Sequence, residues 1–381
     1  MKEIGTNMKI LFERRDWKIN EMRRLNDAYG GIDYYRIVKP AQQAKNHQAD
    51  VIGFEMKKKF GVDTEKWENI FKEYDAYWTS YFVDAKEASN MFYVRDMLKE
   101  KGINKKVIID VDDNYLDILN TNLLYDKFKP QKKDRAMLST LLSFADVIVV
   151  STEPLKHRME KHFKDVHNLD KRVVVLPNMN DIRDWDFPIK EGDPNKIFIG
   201  YPGSNSHHDD IALVAPIIGK LMKKYKNLYF EVIGAIDKAQ LYLFKDWDSD
   251  SFNRCNFISG TWTFKEYPEL IAKTGWDIGI APLVDSPFTR CKSHIKWMEF
   301  SMFKIPVIAS MVYPYFMDIG DRRTIIHDET GLLVSKIEWE DALESLINDE
   351  QLRKRLGSSA YEFIKNNWQY DVSSIIDTIL S

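Results

Sequence analysis

The feature of this 381-residue sequence that most restricts its fold is the alternation of short apolar runs with longer stretches of helical periodicity. The short runs are rich in Val, Ile, Phe and Tyr, which is typical of buried strands. Strands separated by helices form βαβ units, and such units build parallel sheets. The predicted strands are 8–12, 49–54, 74–80, 106–110, 146–152, 172–176, 196–201, 228–234, 256–259, 277–281 and 306–310.

The alternation stops in a polar, proline-containing stretch between residues 177 and 195 and then starts again. A stretch of this kind is typical of a linker. We therefore predict an α/β chain of two Rossmann-like, doubly wound domains that face each other across a cleft. The predicted bounds are 1–190 and 191–362, with a C-terminal helix at 363–381 packing back on the first domain. Ligands of such sheets bind at the carboxyl ends of strands, so we expect the site in the cleft.

Composition excludes several classes of function. Lys plus Arg is 55 and Asp plus Glu is 58, so the net charge of −3 argues against a dedicated polyanion binder. The 21 Phe, 18 Tyr and 10 Trp argue against disorder. Two cysteines cannot form a disulfide framework or a cysteine metal cluster. No run of residues is apolar enough to span a bilayer, and the N-terminus has no apolar signal core. We expect a cytoplasmic protein, and leave peripheral contact with a membrane open.

The segment 277–310 carries the richest pattern. Lys292, Lys296 and Glu299 follow an i, i+4, i+7 spacing, which predicts one shared face of a helix, and Ser293 is a candidate N-cap. Lysines at a helix N-terminus attract phosphate, and Arg290 lies two residues before Lys292. A carboxylate further along the helix can accept hydrogen bonds from sugar hydroxyls. The alternative is a solvated Lys/Glu face.

A second candidate is the loop after strand 196–201, which contains Gly203, Ser204 and His207. Gly203 permits close approach of a ligand to the backbone, and Ser206 or Asp209 could cap the next helix. The alternative is an ordinary βα loop. Adjacent histidines on one short loop rarely complete a metal site, so we predict no metal here.

Two weaker candidates lie in the N-terminal half. Gly30 and Gly31 form a loop that could face a ligand, with the guanidinium of Arg36 as a fork for an anion; the alternative is a plain turn. Asp112 and Asp113 follow strand 106–110, where they could bind acceptor hydroxyls or act as a base. A divalent metal there is conceivable, and capping and turn formation are the alternative.

Taken together, these segments resemble the GT-B glycosyltransferases, specifically the GT4-like group (glycosyltransferase family 1/4 type). Glu299 with the later segments 306–310 and 330–334 is similar to the donor domain of that group. The K-S-x-x-K-x-x-E pattern from Lys292 to Glu299 and a G-S-x-S-H-x-x-D pattern from Gly203 to Asp210 are similar to one subgroup, some members of which occur in phages. The segments 34–36 and 110–113 resemble its N-terminal markers.

The resemblance implies a nucleotide-sugar donor, with UDP-sugar favoured, and no further cofactor. It implies that Glu299 holds the ribose and that Lys292, with Lys296 or Arg290, neutralises the diphosphate. Gly203, Ser204 and His207 would line the phosphates, with Gly30 and Gly31 across the cleft. It also implies a retaining reaction that needs no metal. The sequence departs from the family at Cys291, where a glutamate normally contacts the donor hexose.

The acceptor is less constrained than the donor. A glycan or lipid-linked precursor is one class, and a hydroxylated DNA base of the phage type is another. A basic run with aromatics could serve a nucleic acid, although a solvated loop accounts for it as well. Its residues are Lys127, Lys129, Lys132, Lys133, Arg135, Tyr125 and Phe128. Two other functions stay open: a non-catalytic nucleotide-sugar binder or partner subunit, and a sugar-nucleotide epimerase.

Overall fold

The computed structural model describes residues 7–14, 29–53, 59–80, 85–121, 125–128, 130, 132–204, 207–234, 238–261, 263–316, 324–369 and 371–381. Phe54, Lys129 and Ser206, which the sequence analysis used, lie outside these residues. The chain divides into two compact units. The first comprises 1–116, 127–178 and 370–381, and the second comprises 117–126 and 179–369. The bounds predicted for functional domains remain a prediction.

The first unit contains a parallel sheet with the order β2-β1-β3-β4-β5-β6 among its described residues. Its strands are β1 Lys9–Glu13, β2 Gln48–Ile52, β3 Ala76–Ser80, β4 Lys106–Val111, β5 Val147–Val150 and β6 Val173–Val175. The side chains of β3 and β5 are buried along their whole length, as expected for strands covered by helices on both faces.

Helices connect these strands. In chain order they are α1 Gly31–Asp33, a π-helical turn Tyr34–Val38, α2 Lys39–Gln43, α3 Asp63–Glu73, α4 Ala85–Glu100, α5 Tyr125–Phe128, α6 Lys133–Phe144 and α7 Glu153–His167. Helix α5 straddles the division between the units. The last helix of the chain, Ser373–Leu380, also belongs to the first unit.

The second unit contains a parallel sheet with the order β12-β11-β10-β7-β8-β9. Its strands are β7 Ile197–Pro202, β8 Leu228–Ile233, β9 Cys255–Ile258, β10 Ile278–Ala281, β11 Val307–Ser310 and β12 Leu332–Val334. Its α-helices are α8 His208–Lys224, α9 Ser249–Asn253, α10 Glu266–Ala272, α11 Ile295–Ser301, α12 Trp339–Asn348 and α13 Glu350–Asn367. The helix Ser373–Leu380 is therefore α14.

Helix α8 illustrates how the core of the second unit forms. Ile211, Val214, Ile218 and Met222 recur at the spacing of one helical face, and all four are fully buried against the sheet. Burial of one such side chain stabilises a fold by about 1.5–3 kcal/mol. Packing of this face therefore holds α8, and the loop that precedes it, against the sheet.

One glycine of β7 is required by packing. A Cβ atom at Gly200 would lie 1.9 Å from the ring of Trp276, which is itself buried. The indole nitrogen of Trp276 donates a 2.8 Å hydrogen bond to Oε2 of Glu231, so the ring is not able to move aside freely. Any side chain at this position would collide with a fixed aromatic ring.

The prediction that a helix begins near Ser293 was wrong. Helix α11 begins at Ile295, its N-cap is His294, and no side chain caps it. Ser293 is therefore not the cap, and Lys292 lies in extended backbone after a 3-10 turn, Thr289–Cys291. Lys292 does not share a helical face with Lys296 and Glu299, because the chain straightens between them.

The C-terminal tail is helical, with breaks at Asp349 between α12 and α13 and after Asn367, so the predicted helix 363–381 is divided between the end of α13 and α14. Within the described part of the chain, none of the helices combines the length and apolar character that crossing a bilayer requires.

Candidate functional site

Sheet topology marks one point of the second unit as the place where a ligand can bind. From β7 the chain adds β8 and β9 on one side and then returns to add β10, β11 and β12 on the other. The connections after β7 and after β10 therefore run in opposite directions, which opens a crevice at the carboxyl ends of these two strands. The predicted loop 203–207 follows β7, and the predicted segment 290–299 follows β10.

Asp210 joins these two connections. It lies in the first turn of α8 and is 4% exposed. Its Oδ1 accepts a 2.9 Å hydrogen bond from the backbone N–H of Val284, which follows β10. Its Oδ2 lies 2.9 Å from Nδ1 of His207. The carboxylate thus ties the loop after β7 to the loop after β10.

His207 is held neutral at physiological pH. Its pKa is lowered to about 4, first by burial and then by the positive charge of Lys296, with a smaller contribution from Lys292. The hydrogen bond to Asp210 opposes this shift. Because the carboxylate of Asp210 can only accept, the neutral imidazole carries its proton on Nδ1 and has an acceptor lone pair on Nε2.

The two lysines that act on His207 are both half-buried over aromatic rings. Nζ of Lys292 lies 4.6 Å from the ring centroid of Phe288, and Nζ of Lys296 lies 5.3 Å from that of Tyr201. Rings of this kind support a cation without neutralising its charge. The structure therefore brings together the two predicted lysines near His207, although only Lys296 lies on α11.

Glu299 lies in α11, one helical turn beyond Lys296, and is half-buried. Its Oε2 accepts a 2.8 Å hydrogen bond from the hydroxyl of Tyr267 in α10. Burial, and secondarily the charge of Glu299, raises the pKa of Tyr267 well above its usual value, so this hydroxyl stays protonated. The sequence did not identify Tyr267, because no residue pattern around position 267 indicates a contact with Glu299.

The charges of Asp210 and Glu299 act on two further tyrosines, Tyr201 and Tyr315. Tyr201 lies fully buried in β7, and its hydroxyl has no hydrogen-bond partner among the described residues. Burial, followed by the charge of Asp210, raises the pKa of Tyr201 well above its usual value. The pKa of Tyr315 is raised by burial, by Asp210 and by Glu299. Both hydroxyls therefore remain neutral donors, and no sequence motif pointed to either.

The guanidinium of Arg290 is paired with a carboxylate of the same loop. Its side chain is 58% exposed and makes a bidentate contact with Asp285, at 2.6 and 2.7 Å. The pair carries no net charge, so Arg290 is a weak candidate for binding a dianionic ligand. Ser204 is exposed, and its carbonyl accepts from the N–H of His207 at 3.1 Å, while Gly203 donates its N–H to Ile233 at 3.0 Å.

Cys291 is buried, and its Sγ lies 3.3 Å from the carbonyl oxygen of Pro287. A thiol in this position serves the 3-10 turn that precedes Lys292. It does not offer the pair of carboxylate oxygens that the family pattern has at this position.

In the first unit, the guanidinium of Arg36 is paired with a carboxylate of the protein itself. Arg36 is 1% exposed, and its Nε and Nη2 donate to the two carboxylate oxygens of Asp110 at 2.9 and 2.8 Å. Its Nη1 donates to Oδ1 of Asn178 at 3.0 Å and to the carbonyl oxygen of Leu176. The prediction that Arg36 presents a fork to a ligand was wrong, because this network occupies the fork.

The remaining candidates of the first unit lie near the surface. Asp112 and Asp113 are half-buried directly after β4, and the hydroxyl of Tyr115 lies 3.2 Å from Oδ1 of Asp112. Gly30 caps α1, and a Cβ atom at Gly30 or Gly31 would meet no described atom within 4 Å. Among the described residues, no group of three or more His, Cys, Asp or Glu is placed to hold a metal ion.

No protein-family model and no curated protein matches this sequence. Solved structures do match. An α-glucosyltransferase in complex with UDP and a 13-mer DNA containing a HMU base has a TM-score of 0.64 at 13% identity, covering 98% of this chain and 100% of that one. Sucrose-phosphate synthase from Thermosynechococcus elongatus has a TM-score of 0.58 at 13% identity, with 97% of each chain covered.

S. aureus TarM, solved with UDP among its ligands, has a TM-score of 0.53 at 13% identity over 86% of this chain. The match covers 56% of TarM, so this chain spans about half the length of that protein. At these identities the likeness establishes the fold. The chain has the two-domain α/β architecture of the GT-B glycosyltransferases, as the sequence analysis predicted.

Proposed function

We propose that this protein transfers a sugar from a nucleoside diphosphate sugar, with UDP as the nucleotide, to a hydroxyl group of an acceptor. The observation that carries the proposal is the convergence of Lys292, Lys296 and His207 at the switch point of a GT-B donor-type sheet, with Glu299 one turn further along α11. Structures of the same fold solved with UDP support the choice of nucleotide.

In this proposal Lys292 and Lys296 bind the diphosphate. A nucleoside diphosphate sugar carries two negative charges there, which the two ammonium groups match. Helix α11 has seven residues, so its macrodipole is small and the lysines supply most of the positive field. Glu299 would accept hydrogen bonds from the ribose hydroxyls, and the loop of Gly203 and Ser204 would line the phosphates.

The proposed reaction retains the anomeric configuration and requires no metal ion. The acceptor hydroxyl would lose its proton to a phosphate oxygen of the departing diphosphate, so no dedicated base is needed on the protein. The protein would contribute by holding the reactants in position and by stabilising the negative charge that grows on the leaving group. Lys292 and Lys296 lie near His207, where they can do this without a proton transfer.

For the acceptor we propose a neutral hydroxyl, with a hydroxylated DNA base as the first candidate and a glycan or lipid-linked precursor as the second. The first is supported by the likeness to the DNA-bound α-glucosyltransferase over nearly the whole of both chains. Asp112 and Asp113 stay predictions for acceptor binding. A salt titration of DNA binding tests the DNA candidate, because binding through the predicted basic run would weaken steeply with added salt.

The test combines binding and turnover. A thermal-shift screen with UDP-, GDP-, ADP- and CMP-sugars identifies the nucleotide, because a ligand of the folded state raises its apparent stability. Transfer from UDP-glucose to DNA containing hydroxymethyluracil, or to a glycan panel, then measures turnover with and without EDTA. Full activity in EDTA is expected. Loss of activity in EDTA would instead indicate a required metal ion, with Asp112 and Asp113 as its candidate ligands.

Lys292→Ala and Lys296→Ala are expected to lower kcat/KM by about 10- to 100-fold, because a charge-assisted contact contributes about 1.5–3 kcal/mol. Lys196→Ala is the matched control. Nζ of Lys196 lies 5.3 Å from the ring of Tyr229, the same separation as in the Lys296 and Tyr201 pair, but Lys196 precedes β7 instead of following it. Unchanged transfer by Lys292→Ala would refute the phosphate role.

A non-catalytic nucleotide-sugar binder is the second candidate, because buried Cys291 replaces the carboxylate that contacts the hexose in the family pattern. Tight UDP binding without transfer or hydrolysis across a panel of UDP-sugars would favour it over the enzyme. Release of free nucleotide without consumption of an acceptor would instead favour the epimerase that the sequence left open.

A further inference from the structure

The hydroxyl of Tyr267, in α10, contacts the carboxylate of Glu299 in α11 directly. Its hydroxyl donates to Oε2 at 2.8 Å, and the two residues are 32 positions apart in the sequence. A glutamate side chain has three rotatable bonds, and its terminal torsion is broad. A strong hydrogen bond from a fixed donor therefore restricts the directions in which the plane of this carboxylate can lie.

The ring of Tyr267 is itself held in place. It meets the ring of Trp185 edge to face, with centroids 6.2 Å apart and an interplanar angle of 86°. Trp185 is 3% exposed and also packs against Phe264 and Phe303, at 5.7 Å each. A hydroxyl carried on a ring packed in this way is a fixed donor.

The electrostatic environment keeps that donor active. Burial and the nearby charge of Glu299 raise the pKa of Tyr267 well above its usual value. The phenol therefore stays protonated throughout the working pH range, and the carboxylate of Glu299 can only accept from it.

We propose that Tyr267 is a positioning residue that orients the carboxylate of Glu299 toward a ribose and thereby makes the site select ribonucleotides over 2′-deoxyribonucleotides. This inference rests on the ribose-binding role of Glu299 in the proposed function. A carboxylate oxygen oriented to accept from a ribose hydroxyl loses that partner when the sugar lacks the hydroxyl, and a site built to hydrogen-bond a hydroxyl discriminates against the analogue without it. Tyr267→Phe removes the constraint while it keeps the ring against Trp185.

The experiment measures binding of UDP and of 2′-deoxy-UDP by isothermal titration calorimetry to the full-length wild type, Tyr267→Phe, Glu299→Gln and a control. The control is Tyr225→Phe, which removes another tyrosine–glutamate hydrogen bond of the same unit, from Tyr225 to Glu344 at 3.3 Å. Thermal midpoints of all variants are recorded in parallel to confirm folding.

Tyr267→Phe is expected to weaken UDP about tenfold and 2′-deoxy-UDP less than twofold, with a thermal midpoint close to that of the wild type, while Tyr225→Phe binds both like the wild type. Equal weakening of the two ligands, or UDP binding within twofold of the wild type, would overturn the inference alone. If Glu299→Gln binds UDP as tightly as the wild type, the ribose role of Glu299 in the proposed function fails, and the inference fails with it.

Discussion

His294, the N-cap residue of α11, is a buried histidine whose burial makes the stability of the second unit depend on pH. It is 0% exposed, and its ring centroid lies 4.1 Å from that of Trp368 and 5.9 Å from that of Trp297. Neither ring nitrogen has a hydrogen-bond partner among the described residues. Burial lowers the pKa of His294 from 6.5 to about 3, because a charged imidazole there would lose its hydration without compensation.

The sign and size of the effect follow from proton linkage. Between pH 7 and pH 5 the unfolded chain protonates this imidazole, whereas the folded protein keeps it neutral. The unfolded state therefore binds more protons, and the free energy of unfolding falls as the pH falls through this window. For a pKa of 6.5 in the unfolded chain, one histidine lowers the free energy of unfolding by about 2 kcal/mol between pH 7 and pH 5.

The perturbation is His294→Leu, which has about the volume of the imidazole and cannot titrate. Any constant cost of repacking cancels when the difference between variant and wild type is compared at the two pH values. That difference is expected to shift by about 2 kcal/mol in favour of the variant at pH 5. For a unit of this size this corresponds to about 4–8 °C in the thermal midpoint.

The assay is thermal unfolding of the full chain at pH 7 and pH 5, followed by tryptophan fluorescence, to which Trp297 and Trp368 contribute beside the mutated site. His157→Leu, which removes an exposed histidine from the same chain, is the matched control. An identical loss of midpoint between pH 7 and pH 5 in His294→Leu and the wild type would refute the reasoning. His207, whose pKa is about 4, leaves a residual loss of the same sign in both proteins.

Two further predictions concern stability. Arg36→Met leaves the carboxylate of Asp110 buried without its bidentate partner, so we expect a loss of about 3–5 kcal/mol in urea unfolding, largely recovered in the double variant with Asp110→Leu. Equal stability of the single and double variants would contradict this account. Gly200→Ala forces a Cβ atom against the ring of Trp276, so we expect it to lower the free energy of unfolding by about 1–3 kcal/mol. The control is Gly30→Ala, whose Cβ meets no described atom within 4 Å, and its loss should be less than half as large. Similar losses for the two alanine variants would count against the packing argument.

Much of the fold could be predicted from local sequence. The alternation of apolar runs and helical stretches places strands such as β4 and β10 within one or two residues of their observed bounds. This works because burial on both faces of a parallel sheet leaves a mark on each segment by itself. The Gly203 loop and the Lys292–Glu299 segment were also identified from local residue patterns, and the structure brings His207, Lys292 and Lys296 together.

The sequence by itself determined that the chain forms two α/β units and which segments carry the polar groups at their strand ends. Only the tertiary structure decided the order of strands, and therefore that the connections after β7 and β10 meet at a switch point. It also decided that Asp210 accepts a hydrogen bond from the backbone of Val284, 74 residues away. In the same way it decided that Arg36 forms an ion pair with Asp110, also 74 residues away. The physical reason is that a side chain's partner is set by which segments pack together, and the spacing of residues within one segment carries no information about the other.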